Sequence, residues 1–111
     1  MPVVRLFVVD AMFGDFPWRT VAFEHGGKYY TYDPDAKRVL TAGETLEEAL
    51  REELRQWVEI WEEGRRKRPV RAYEVLAKEW GEALKKPFKL VKMAYWKEEE
   101  IEEISPSGVL V

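Results

Sequence analysis

The spacing of apolar positions along this chain changes twice, and each change marks a change of element. From Val3 to Val9 almost every residue is apolar, with Arg5 the one interruption, which predicts a strand inside a sheet, covered on both faces or nearly so. Phe13-Gly14-Asp15-Phe16-Pro17-Trp18 reads as a loop, because Gly14 and Pro17 punctuate it and Pro17 restricts the residue before it. Strand character returns over Arg19 to Glu24, turns tightly at His25-Gly26-Gly27-Lys28 and pairs back over Lys28 to Tyr32 as a hairpin. Asp33-Pro34-Asp35-Ala36 marks another turn. The short segment Arg38 to Thr41 after it either pairs on its own or continues the preceding strand across a bend.

Past Gly43 the apolar period lengthens to three and four. Leu46, Ala49, Leu50, Leu54, Trp57, Val58 and Trp61 form one stripe, predicting a helix from about Leu46 to Glu63 that faces the sheet. Thr45 is its expected N-cap, Glu48 closes a capping box, and Gly43 frees the chain to turn out of the preceding strand. Gly64 suits a C-cap, and Pro69 the first turn of a second helix that reaches about Lys85 and buries Tyr73, Leu76, Ala77, Trp80 and Leu84. Pro87 stops it. Phe88 to Trp96 reads as a last long strand, with Val91, Met93 and Tyr95 on one side and Phe88, Leu90, Ala94 and Trp96 on the other. An acidic solvated segment to Glu103, a Ser-Pro-Ser-Gly turn and an apolar end, Val109-Leu110-Val111, complete the chain. The elements add up to a single α+β domain, a curved, mainly antiparallel sheet of about four strands packed against two helices.

Composition narrows the class. The 111 residues suit one domain with one real core. Cysteine is absent, which removes disulfides and thiolate metal sites. No stretch approaches the roughly 20 apolar residues that span a bilayer, and Met-Pro-Val-Val-Arg is not a secretory leader. A soluble, cytoplasmic protein without a membrane contact is expected. The chain has no asparagine, one glutamine (Gln56) and two serines (Ser105 and Ser107) against abundant Glu, Lys and Arg. That bias fits a thermophilic source, where amides are lost and ion pairs gained; a designed sequence would share it.

Charge lies in blocks that the net value of −3 conceals: residues 43 to 64 carry −6, residues 65 to 97 carry +8 and residues 98 to 111 carry −5. A basic block attracts a polyanion locally whatever the overall balance. Its densest part is Arg65-Arg66-Lys67-Arg68, with Arg71 close behind and Lys85, Lys86, Lys89 and Lys92 further on. Tyr73, Trp80, Phe88, Tyr95 and Trp96 are interleaved and would stack on bases if exposed. These nine cations are the candidate nucleic-acid contacts for RNA or DNA. The competing reading pairs them with the acidic blocks and sends the aromatics to the core.

Gly-Gly-Lys-Tyr-Tyr at 26 to 30, followed by Val-Leu-Thr-Ala-Gly-Glu-Thr-Leu-Glu-Glu-Ala-Leu at 39 to 50, resembles HicB-like antitoxin domains. The resemblance covers roughly residues 20 to 62. It implies a partial RNase H-like βββαβ core and a protein that neutralises a small RNA-cleaving toxin and represses its own operon through an added DNA-binding segment. Here Asp33-Pro34-Asp35-Ala36-Lys37-Arg38 replaces the family's Pro-x-x-Pro-Gly-Cys, the second helix is additional, and no helix-turn-helix follows.

Catalytic chemistry finds little support. Asp10 stands where an RNase H-like site holds Mg²⁺ from its first strand, and Glu47 or Glu48 would supply the second ligand, but the last strand up to Trp96 contains no carboxylate. Asp10 reads more readily as a turn or capping residue. His25 has no Ser or Cys nucleophile near it and abuts two glycines, as a solvent-facing turn residue does. No phosphate loop, dinucleotide fingerprint or zinc spacing occurs, and the run Glu98 to Glu103 lacks the ligand alternation of a calcium loop, so no cofactor or metal is expected. The preferred expectation is a non-enzymatic binding module of HicB-like type with a protein partner, and with self-association, since five tryptophans and an apolar end are much for one small core to conceal. A small nucleic-acid-binding protein from a thermophile or its virus is the alternative. A divergent metal-dependent nuclease is third.

Overall fold

The computed structural model describes residues 1–109; Leu110 and Val111, part of the predicted apolar end, lie outside the described residues. Five strands, β1 (Val3–Phe13), β2 (Phe16–His25), β3 (Lys28–Asp33), β4 (Arg38–Gly43) and β5 (Phe88–Glu100), form one antiparallel sheet in the order β4-β3-β2-β1-β5. Helices α1 (Leu46–Lys67) and α2 (Arg71–Ala83) pack on one face. The α+β class matches the sequence reading, with one strand more than the four expected. Arg38 to Gly43 is a strand in its own right because the turn before it reverses the chain fully: the Asp33 carboxylate accepts the Asp35 and Ala36 amides, and Lys37 takes a left-handed φ of 54°.

Alternation along the strands divides the core in two. Val9, Ala11, Phe13 and Ala22 point to the helices and meet Leu50, Leu54 and Ala83. Val4, Leu6, Phe23, Tyr30, Tyr32 and Val39 point the other way, where the chain after β5 crosses them with Ile101 and Ile104. That segment then reaches the opposite edge of the sheet. Ser107 and Gly108 donate their amides to the Val39 and Leu40 carbonyls of β4, and the Val109 amide reaches Gln56 of α1.

Several boundaries move. β1 runs to Phe13 and β2 starts at Phe16, so the expected loop is a two-residue turn built on Gly14, with φ 62°. Pro17 sits inside β2, and it is tolerated because β3 ends at Asp33 and leaves that stretch of β2 without a strand on its outer side. Gly64 does not end α1. The helix continues to Lys67, and Gly64 instead admits the Tyr73 ring of α2, which a Cβ would meet at 3.3 Å. Pro69 lies between the helices, one residue before the α2 N-cap Val70. The acidic residues Glu98, Glu99 and Glu100 belong to β5; Glu98 and Glu100 are solvent-exposed as expected, whereas Glu99 accepts the Tyr32 hydroxyl.

Four of the five tryptophans gather where the helices meet β2: Trp80 packs edge-on against Trp18, Trp57 and Trp61, and Tyr73 stacks on Trp61. Trp96 alone among them stands on the surface.

Candidate functional site

The nine cations singled out in the sequence fall into three places. Arg65, Arg66 and Lys67 occupy the last turn of α1, where Arg65 bonds Glu62 at 2.8 Å and Arg66 and Lys67 share Glu63. Arg68 and Arg71 complete the tip of the helical hairpin. Lys85 and Lys86 lie at the other end of α2, about 20 Å away along a 13-residue helix. Lys89 and Lys92 stand on β5 opposite Met12 and Asp10, on the sheet face away from the helices. Of the aromatics expected to accompany them, Tyr73 and Trp80 belong to the helix interface, Phe88 packs on Phe13, and Tyr95 packs edge-on against Phe7 with Arg5 over its ring. Only Trp96 shares the open face with Lys89 and Lys92.

Asp10 is neither a turn nor a capping residue. It lies in the middle of β1, and Arg19, its cross-strand partner, holds it through bonds of 2.7 and 3.2 Å. The Arg19 hydrogen bond keeps its carboxyl below the usual carboxylate range. Its side chain projects on the face opposite α1, so Glu47, paired with Arg51, and Glu48, bonded to the Glu44 amide, cannot share a cation with it. Among the described residues no three His, Cys, Asp or Glu side chains come together to hold a metal. His25 ends β2, exposed, at the Gly26-Gly27 turn.

Two other features carry more chemistry. The first is Glu53, only 5% exposed, on the inner side of α1. Because β3 stops at Asp33, the outer side of β2 at Arg19 and Thr20 has no strand beside it, and Glu53 reaches this gap from the helix layer. The Trp18 indole N–H donates to Glu53 Oε1 at 3.0 Å and the Thr20 hydroxyl to Oε2 at 3.1 Å. Burial pushes its carboxyl up to about 7, although both hydrogen bonds pull the other way. The gap opens as a cleft of about 440 Å³ lined by Val8, Val21, Leu40 and Trp96, with Arg19 and Asp33 as its other charged groups. Glu53 occupies a position of the α1 stripe between Leu50 and Leu54, and a charged residue at an inward position was the signal the sequence offered.

The second feature is β5. It is an edge strand with no described element on its outer side, and Val91 and Tyr95 are 58% and 49% exposed, with Leu90 and Met93 also open. The partner edge, β4, is occupied by Ser107 and Gly108. Bulges at Val91 and Trp96 interrupt the pairing of β5 with β1. Lysines mark the start of the strand and glutamates its end.

Comparison with known proteins finds no family model, no curated protein and no solved structure that matches this chain. Among the described residues no helix is long and apolar enough to cross a membrane.

Proposed function

We propose that this chain is a non-enzymatic binding module, HicB-like in kind, that takes a protein partner by strand addition along β5. The observation that carries the reading is the open, apolar edge of a 13-residue strand on a sheet whose other edge is covered. An unpaired strand holds out a row of N–H and C=O groups. An extended segment that bonds them draws affinity from main-chain bonds and specificity from alternate side chains. The fitting segment is apolar at its centre, acidic opposite Lys89 and Lys92, and basic opposite Glu98 and Glu100. Read in the reverse direction about Ala94, β5 sets its own apolar centre against that of the other copy and Glu99 opposite Lys89, so without a partner two copies pair about a two-fold axis near Ala94. The test is selection from a displayed peptide library. Expected are apolar-centred peptides with one acidic and one basic end, whose binding is lost in Met93→Lys and Val91→Lys. Peptides that bind those variants equally well would overturn the reading.

One observation favours a second reading. Lys89, Lys92 and Arg19 share the open sheet face with Trp96, a set suited to phosphates and a stacked base. Fluorescence anisotropy with short single-stranded RNA, double-stranded RNA and double-stranded DNA at two salt concentrations tests it. Binding that weakens with salt and disappears in a Lys89→Ala, Lys92→Ala variant supports this face. Loss confined to alanine variants of Arg65, Arg66, Lys67 and Arg68 assigns binding to the hairpin tip instead, and no binding to any of the three rejects both.

A further inference from the structure

The cleft over Glu53 is independent of what docks on β5. Its floor is a carboxylate in an otherwise apolar stripe, and the packing does not call for one. A glutamine would accept the Trp18 indole N–H through its carbonyl and donate to the Thr20 hydroxyl, in the same space and with no charge to desolvate. What a carboxylate adds is spare acceptor capacity. Each oxygen takes one hydrogen bond from the protein and has room for a second, and Glu53 lines the cleft. The walls are apolar, with Val8, Val21 and Leu40 beside the flat Trp96 ring. Arg19 and Asp33, of opposite sign, are the charged groups that share the cleft with Glu53, and Arg19 is already tied to Asp10. A full anion would meet Asp33 and Glu53, and a full cation at the Trp96 ring would meet Lys97, whose Nζ lies 4.4 Å from the ring centroid.

We propose that this cleft binds a small, flat, uncharged heterocycle with two adjacent N–H donors, the chemistry of a guanine edge, its donors on Glu53 and its ring against Trp96. The carboxylate must be ionised to accept both donors. Since burial pushes Glu53 up to about 7, the ionised fraction rises from near one-tenth at pH 6 to nearly all at pH 8, and affinity rises about tenfold across that range.

Titration of the ¹⁵N-labelled protein with guanosine, with adenosine as the control, tests the site. Adenosine presents an acceptor where guanosine presents its ring N–H. The expected result is a saturable shift of the Trp18 and Trp96 indole N–H signals with guanosine, about tenfold tighter at pH 8 than at pH 6. Glu53→Gln, shown to be folded by its thermal melt, loses about tenfold or more in affinity together with the pH dependence. No saturable shift, an equal response to adenosine, or unchanged binding in Glu53→Gln would overturn the proposal.

Discussion

Glu53 gives the stability of this molecule a direction with pH. Its carboxyl titrates at about 7 when folded against an ordinary 4.5, so between those values the folded chain keeps a proton that the unfolded chain has released. The contribution is therefore full below pH 4.5, declines through the window and is gone above pH 7, a total of about 3 kcal/mol. Glu53→Gln removes this slope. It should melt with the wild type near pH 4.5 and about 1–3 kcal/mol above it at pH 8, and parallel melting curves for the two proteins at every pH would show that no proton is held there. Gly43 is a second single-residue control. A Cβ there would lie 2.5 Å from the Ala49 amide nitrogen, so the position is fixed by close approach of the first turn of α1 rather than by turning freedom. Gly43→Ala should lose about 1–3 kcal/mol in denaturant unfolding. At this scale the caps were legible: Thr45 accepts the Glu48 amide as expected, although Glu48 reaches the Glu44 amide, one residue short of a regular capping box. Glu53 is not legible in the apolar pattern, because an apolar period does not mark a charged residue at an inward position.

Among the elements, the helices depend on one another for their ends. α2 has no basic residue in its last turn, and Arg51 of α1 supplies the missing donor, bonding the Leu84 carbonyl at 2.9 Å and the Lys86 carbonyl at 3.0 Å while Glu47 holds its Nε. Arg51→Met keeps the stem and removes these bonds. It should cost about 1.5–3 kcal/mol, and hydrogen exchange should rise first at Leu84 to Lys86; uniform protection across the chain would contradict this role. Element type and order were readable because the apolar period is strong in each segment. Boundaries were not, since punctuation by Gly and Pro has more than one cause. Gly64 is a packing residue and Pro17 an edge residue, and neither property shows until the neighbouring element is in place. The site suffers most from this. The nine cations belong to one basic block along the chain, yet α2 and the sheet set them in three places, and Lys89 comes to the face of Lys92 and Trp96 only through the bulge at Val91.

For the whole molecule, the charge order along β5 makes a specific demand on self-association. Two antiparallel copies paired about Ala94 set Lys89 of one opposite Glu99 of the other, on the face away from the helices. Sedimentation analysis should find a dimer that weakens with salt, weakens further in Lys89→Glu, and is restored when Glu99→Lys is added to that variant. A dimer indifferent to these exchanges would have another interface. The sheet order also bears on how the chain reaches its folded state. β1 forms a hairpin with β2 from the first two dozen residues, but its other neighbour is β5, whose pairing begins at Phe88. On the ribosome β1 must therefore wait, one side bare, until β5 has followed it out, and the interval is one in which an apolar strand is open to misassembly.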